Sequence, residues 1–304
     1  MYKQHFGLKE KPFSLLPDPR FLYFSEKHKS AFSILEYGLL EQSGITVVTG
    51  EVGSGKTTLI NHLLSRVSSD ELSIGVVNNT NQLMGSLQQV IALAFSVNHE
   101  GLDEVALLRV LQDYFIEEYS AGRRVVLIVD EAQNLGEDAL EELRMLTNIN
   151  AGKDQLLQLI LVGQPELLAV LKQQNMWQFA QRVNSEYHLS AMSGKETAVY
   201  IHYRTRKAGA KRYLFDRVAT TLIYYLSGGI PRLINALCDN ALVHAYAVDA
   251  KVVTFNIALG SVKQKSIGGI QRFGEKSEEL EKVRKRLEEV TGVDVGEDSL
   301  NVRF

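Results

Sequence analysis

The sequence predicts an α/β fold: a five-stranded parallel sheet layered with helices, followed by a small helical domain. Three observations predict it. Two short runs, Ile45-Thr46-Val47-Val48-Thr49 and Val125-Val126-Leu127-Ile128-Val129, each empty into a turn rich in glycine or acid, and a continuous apolar run suits a strand covered on both faces. Up to residue 190, strand patterns alternate with helical ones, which makes a parallel sheet with crossover helices. From Ser193 onward only the helical period recurs.

Residues 1–27 read as a lead-in. Pro12, Pro17 and Pro19 break any helix there, and Phe6, Phe13, Phe21, Tyr23 and Phe24 need a surface to cover. Residues 28–190 form the first domain. Ser25 suits a helix cap ahead of Lys27–Leu40, which carries Ala31, Ile34, Leu35 and Leu39 and stops at Gly44. The Ile45 strand and a helix through Leu59, Ile60, Leu63 and Leu64 come next, then a strand at Ser73–Val77. Helical patterns cover Gln82–Phe95 and Asp103–Tyr119, the Val125 strand follows, and Glu137–Asn148 is a further helix. Leu156–Val162 is a fourth buried strand ending at Gly163-Gln164-Pro165, and Tyr187-His188-Leu189 a short fifth.

After a hinge at Ser190–Ser193, residues 191–266 form the helical domain, with helices over Gly194–Ala208, Phe215–Ser227, Pro231–Ala247 and Asn256–Ser266. Residues 267–304 read as linker and tail. Gly268, Gly269 and Gly274 loosen the chain, and Glu275–Val290 is a charged amphipathic helix with Leu280, Val283, Leu287 and Val290 on one face. It is either a solvated terminal helix or a strip that docks on a neighbour, and residues 291–304 are expected to be mobile. No internal repeat is present.

The turn after the first strand is Gly50-Glu51-Val52-Gly53-Ser54-Gly55-Lys56-Thr57-Thr58, a full match to G-x-x-x-x-G-K-[ST] in a strand–turn–helix setting. Gly50, Gly53 and Gly55 let successive amides turn inward around an anion. Lys56 brings a point charge to the outer phosphates, the Thr57 hydroxyl is placed for Mg²⁺, and the helix that starts here adds its positive end. Asp130 closes the Val125 strand where open α/β sheets bind ligands, and serves the same Mg²⁺, usually through water. Glu131 can polarise a water for in-line attack on the γ-phosphate. The expected ligand is therefore ATP with Mg²⁺. For the lead-in aromatics two surfaces stay open: a wall against the adenine, or the outside of the sheet.

Three more residues join this site by position. Gln164 follows the fourth strand and can either hold the attacking water or simply start a helix before Pro165. Arg182 precedes the last strand, where it would project toward the ATP of an adjacent subunit. Arg232, in Gly228-Gly229-Ile230-Pro231-Arg232, opens a helix whose N-terminus disfavours positive charge, so a role at the γ-phosphate is preferred.

The bulk numbers fit an ordinary soluble protein: 45% apolar, 23% charged, and a net charge of −3 from 33 basic and 36 acidic residues. No global field draws the chain to nucleic acid or anionic lipid. His202, Arg204, Arg206, Lys207, Lys211 and Arg212 nevertheless cluster around the first helix of the second domain, where they would either bind phosphate or form a solvated face. Cys238 is the single cysteine, which fits a reducing compartment and a small core residue. No apolar run approaches a membrane span and the start shows no signal pattern, so a cytoplasmic protein is expected, reaching a membrane only through a partner.

These residues resemble the AAA+ ATPases, and within them the secretion-pathway protein A group. The likeness runs over about residues 1–265, through His5-Phe6-Gly7-Leu8, Lys11-Pro12-Phe13-Ser14, Pro17-Asp18-Pro19-Arg20, the Gly50–Thr58 loop, Asp130-Glu131-Ala132-Gln133, Gly163-Gln164-Pro165-Glu166-Leu167, Gln181-Arg182 and Gly229-Ile230-Pro231-Arg232. Pilus-biogenesis and exosortase-associated ATPases look similar. The resemblance implies a RecA-like sheet with a helical lid, a homo-oligomer (ring or filament) with ATP at its interfaces, and a role in assembling an envelope secretion or pilus complex. Wider AAA+ proteins carry asparagine or threonine where this chain has Gln164. The alternative is a DNA-bound regulator similar to the phage Mu B-type transposition ATPases.

Overall fold

A computed structural model describes residues 1–15, 19–40, 44–67, 70–78, 85–151, 154–263, 285 and 287–289. The chain divides into two compact units. One comprises Glu26–Val52 and Lys56–Ser190; the other comprises Met1–Ser25, Gly53–Gly55 and the described residues of Ala191–Phe304.

The first of these is a five-stranded parallel sheet with helices. Its strands are β1 (Ile45–Gly50), β2 (Leu72–Val77), β3 (Arg124–Val129), β4 (Leu157–Gly163) and β5 (Val183–Leu189). They lie in the order β2-β3-β4-β1-β5, all neighbours parallel. Burial along the strands follows this order. Every residue of β1 and of β4 is buried, as their inner positions demand, whereas β5, on the edge, alternates half-buried with exposed. That alternation explains why β5 is seven residues long and not the expected three: Asn184, Ser185 and Glu186 interrupt the apolar signal without interrupting the ladder.

Helices Glu26–Leu40, Lys56–Leu64, Leu87–Ala94, Glu104–Ser120 and Glu137–Leu146 belong to the same unit. The Leu87 helix begins at a capping box. Ser86 accepts from the Gln89 amide, and the Gln89 side chain accepts from the Ser86 amide. The earlier start expected at Gln82 lies outside the described residues. Helix Pro165–Leu171 follows the reading in which Gln164 starts a helix; the antiparallel pairing of Asn150–Ala151 with Asp154–Gln155 and the helix Trp177–Ala180 were not expected.

The second unit is helical, with Gly194–Lys207, Arg217–Ser227, Pro231–Ala247 and Phe255–Lys263 around a core that includes Ile201, Leu222, Ile234, Leu237 and Cys238. Cys238 is fully buried, as expected of a small core residue, and burial pushes its thiol pKa well up. Gly228 and Gly229 both sit at positive φ before the Pro231 helix. A Cβ on Gly229 would stand 1.9 Å from the Met192 carbonyl oxygen, and the Met192 amide donates to the Gly229 carbonyl at 3.0 Å. Only glycine fits that approach.

Of the five lead-in aromatics, Phe6, Phe13, Phe21 and Tyr23 pack in or against the core of the helical unit and not on the outside of the sheet. A short helix, Tyr2–Phe6, precedes the prolines, and Tyr2, Phe6, Leu8, Phe13 and Phe21 are built into the core of the helical unit. Phe13 packs edge-to-face on Phe215 at 5.9 Å, Tyr2 donates to Asp239 at 2.5 Å, and the Lys9 amide donates to the Ala208 carbonyl at 2.8 Å. Large rings bury most area where several helices offer a concave apolar face. Leu287 is buried in this core as well. Residues 285 and 287–289 of the proposed Glu275–Val290 helix are helical; its other residues, the glycines before it and residues 291–304 lie outside the described residues, as do Pro17 and Asp18.

Candidate nucleotide site

The sheet order sets up the site. β4 lies between β3 and β1, so Gln164, after β4, is flanked by the acids that end β3 and by the loop that leaves β1. All three connections leave the carboxyl ends of parallel strands, where such sheets open a crevice.

In the loop, Gly53 and Gly55 have φ of +80° and +105°, conformations that glycine adopts without penalty. Lys56 begins the following helix and is buried, with its ammonium donating to the Gly50 carbonyl at 2.7 Å and the Glu51 carbonyl at 3.1 Å. Burial lowers its pKa, and the negative charges of Glu131, Asp130, Glu51 and Glu166 oppose that shift. Thr57 donates from its hydroxyl to Oδ2 of Asp130 at 2.7 Å. Val52 is exposed and Thr58 half-buried. The tip, Gly53–Gly55, groups with the helical unit. There the Arg232 amide donates to the Gly53 carbonyl at 3.2 Å, and a Cβ on Gly53 would lie 2.5 Å from Cβ of Arg232. The Arg232 side chain is exposed.

Asp130 is buried. Its amide donates to the Val77 carbonyl at 2.9 Å, which fixes its backbone, and its Oδ1 accepts from the Glu131 amide at 2.9 Å while Oδ2 accepts from Thr57. Among the described residues Glu131 is one of three non-glycine residues at positive φ, 55°. A side chain held there costs about 1–3 kcal/mol and is found mostly where the surroundings insist on it. Two amides converge on its Oε2: Nε2 of Gln133 at 2.6 Å and Nε2 of Gln164 at 3.1 Å. The Gln164 amide N–H in turn donates to Oε1 of Gln133 at 2.9 Å. Gln164 is thus the N-cap residue of the Pro165 helix without capping it, its side chain being turned to Glu131. Gln133 was noted only as part of Asp130-Glu131-Ala132-Gln133, and no role was assigned to it from the sequence.

A triphosphate with a divalent cation fits what is present. A buried ammonium, two left-handed glycines and a helix N-terminus suit the anion, while a hydroxyl oxygen beside a buried carboxylate suits a hard cation. Thr57 and Asp130, in contact at 2.7 Å, are the pair that would hold it.

Residues 40–171 match the AAA domain family. Over 276 residues the chain is 39% identical to general secretion pathway protein A of Aeromonas hydrophila, covering 90% of this chain. Residues 40–171 thus carry an AAA domain. The chain spans 50% of that secretion protein's length. Two solved AAA+-like structures share its fold. The ORC2 protein of Aeropyrum pernix, in ADPNP–ADP complexes, superposes with a TM-score of 0.60 at 17% identity, over 88% of this chain and 80% of that one. Cdc6p of Pyrobaculum aerophilum gives 0.63 at 17% identity, over 90% and 72%.

The other predicted residues fall as follows. Arg182 is half-buried and donates from Nη1 to the Thr147 hydroxyl at 3.3 Å. Within the proposed basic face, Arg206, Lys207, Lys211 and Arg212 are exposed, but Arg204 is not. Its guanidinium donates to the Pro12 carbonyl at 2.6 Å and the Tyr200 hydroxyl at 2.8 Å, and lies 5.0 Å from the centre of the Phe21 ring. Thr197, Tyr200, Ile201, Arg204 and Thr205 share the buried face of their helix, so Arg204 pins the N-terminal segment and is withdrawn from any phosphate surface. His202 is half-buried, packs on Tyr213, and has its pKa lowered by burial. No helix among the described residues is long and apolar enough to cross a membrane.

Proposed function

We propose that this AAA-domain protein binds Mg-ATP in the Gly50–Thr58 loop and hydrolyses it with Glu131 as general base. Lys56 carries the charge that meets the outer phosphates; Thr57 and Asp130 hold the cation; Gln164 and Gln133 orient Glu131. A bound Mg²⁺ supplies electrostatic stabilisation of the charge that develops on the transferred group. Glu131 takes the proton of the attacking water, and the surrounding amides and lysine receive the γ-phosphate oxygens. The observation that carries this reading is the Glu131 carboxylate, held by two amides beside the Thr57–Asp130 pair.

We further propose a homo-oligomer in which Arg182 serves the neighbour's site and Arg232 couples nucleotide state to the helical unit. Support for the second role is the Arg232 backbone bond to Gly53. The product of that cycle is mechanical: assembly or remodelling of an envelope secretion complex, or of a related pilus machine, supported by the likeness to general secretion pathway protein A. It would act at the cytoplasmic side of the inner membrane through a partner.

The test is Glu131→Gln, with ATP binding followed by a fluorescent analogue and turnover by phosphate release. Binding should persist while turnover falls by about a hundredfold or more; near-normal turnover removes Glu131 from its role. Duplex DNA should leave the wild-type rate unchanged, because Arg204 is spent on Pro12, Tyr200 and Phe21. A DNA-stimulated rate that collapses with added salt would replace the secretion reading by a DNA-bound one.

A further inference from the structure

We propose that Gln133 is the positioning residue of the catalytic carboxylate: one side-chain amide fixes the direction of Glu131 and ties it to the end of β4. The inference rests on Glu131 being the base.

Three observations carry it. The Gln133 amide uses both its ends, donating from Nε2 to Oε2 of Glu131 at 2.6 Å and accepting at Oε1 from the Gln164 backbone at 2.9 Å. Gln164 closes the circuit by donating from its own Nε2 to the same Oε2 at 3.1 Å. The end of β4 lies close against Gln133: a Cβ on Gly163 would come 2.9 Å from Cδ2 of Leu167, 3.1 Å from Oε1 of Gln133 and 3.3 Å from the Gln133 backbone nitrogen. Gly163 is itself fully inside the sheet, paired with Thr49 of β1, and its φ is not positive. Backbone freedom therefore does not explain the glycine, while room for Leu167 and Gln133 together does.

The chemical consequence follows from which oxygen is engaged. Both amides land on Oε2, and a carboxylate pinned through one oxygen by two donors cannot rotate, so its second oxygen points one way. A base that is misplaced by about 1 Å can lose roughly a hundredfold in rate. Gln133 touches neither phosphate nor water in this scheme; it acts only through Glu131 and Gln164.

Gln133→Met keeps length and removes both hydrogen bonds; Gln133→Glu keeps the acceptor for Gln164 and puts a like charge against Glu131. Both should bind ATP within about twofold of the wild type, with KM little changed and kcat lower by roughly ten- to a hundredfold. In a Glu131→Gln background the Gln133→Met change should cost nothing further, as expected for a residue that works through that carboxylate. Wild-type kcat in Gln133→Met, or an additive loss in the double variant, would overturn the proposal. If Glu131→Gln itself turns over normally, the assignment of the base fails first, and that result is separate from either Gln133 outcome.

Discussion

Thr57 and Asp130 are joined directly, the threonine hydroxyl donating to Oδ2 at 2.7 Å across 73 residues of sequence. The bond links the first turn of the helix after the loop to the residue that ends β3, and leaves both oxygens in one place. Asp130→Asn keeps the volume and removes the charge; Thr57→Val keeps the shape and removes the hydroxyl. In each, the Mg²⁺ concentration that half-saturates ATP hydrolysis should rise by about tenfold or more. A magnesium titration at fixed ATP reads this directly, and an unchanged midpoint would take the cation away from this pair.

Lys56 gives a prediction of opposite sign for binding and stability. Its ammonium is buried and its pKa is lowered chiefly by that burial, so the charged form is carried at a cost in the ligand-free fold. Lys56→Met should lose ATP binding altogether, yet be no less stable than the wild type by thermal unfolding without nucleotide. Between the lowered folded value and the ordinary 10.5 of the amine, the unfolded state holds more protons and wild-type stability rises with pH. Any advantage of the methionine variant at neutral pH should therefore shrink as pH approaches that value. A variant that binds ATP normally would sink the loop assignment.

What the sequence discloses depends on whether one local pattern suffices. The inner strands read clearly because every residue of β1 and β4 is buried and the runs are continuous; β5 did not, because an edge position lets Asn184, Ser185 and Glu186 stay polar. The loop and Asp130 are legible because strand, turn and helix are contiguous. Gln133 is invisible for the opposite reason: its meaning lies in Gln164, 31 residues away on a neighbouring strand end. Arg204 looked like surface charge, although its spacing from Tyr200 and Ile201 places it on the inward face of its helix. The aromatics of the lead-in announced that they would be buried but not where, since Phe215 and Asp239 come some two hundred residues later.

That placement is testable through Phe13. The ring is 1% exposed and in edge contact with Phe215, and removing a buried phenyl group costs about 3–5 kcal/mol. Phe13→Ala should lower the denaturation midpoint of the helical unit, followed by urea unfolding with tyrosine fluorescence as the probe. An unchanged transition would show that residues 1–25 are dispensable to that core.

Arg182 offers the sharpest test of a shared site. It is only half-buried, and its contact to the Thr147 hydroxyl, at 3.3 Å, is long for a charged donor. It also adds a minor contribution to the lowered pKa of Glu141, which Arg144 dominates. Such loose local ties leave the guanidinium able to serve another subunit, where an arginine at the transferred phosphate is worth about three to five powers of ten in rate. Arg182→Ala alone and Glu131→Gln alone should each be nearly inactive. Mixed in equal amounts, about a quarter of head-to-tail interfaces would pair an intact glutamate with a neighbour's intact arginine, and hydrolysis should return in proportion. A residue that merely steadied its own subunit through Thr147 could not be rescued in this way, so a mixture that stays silent would remove the oligomeric active site from the scheme.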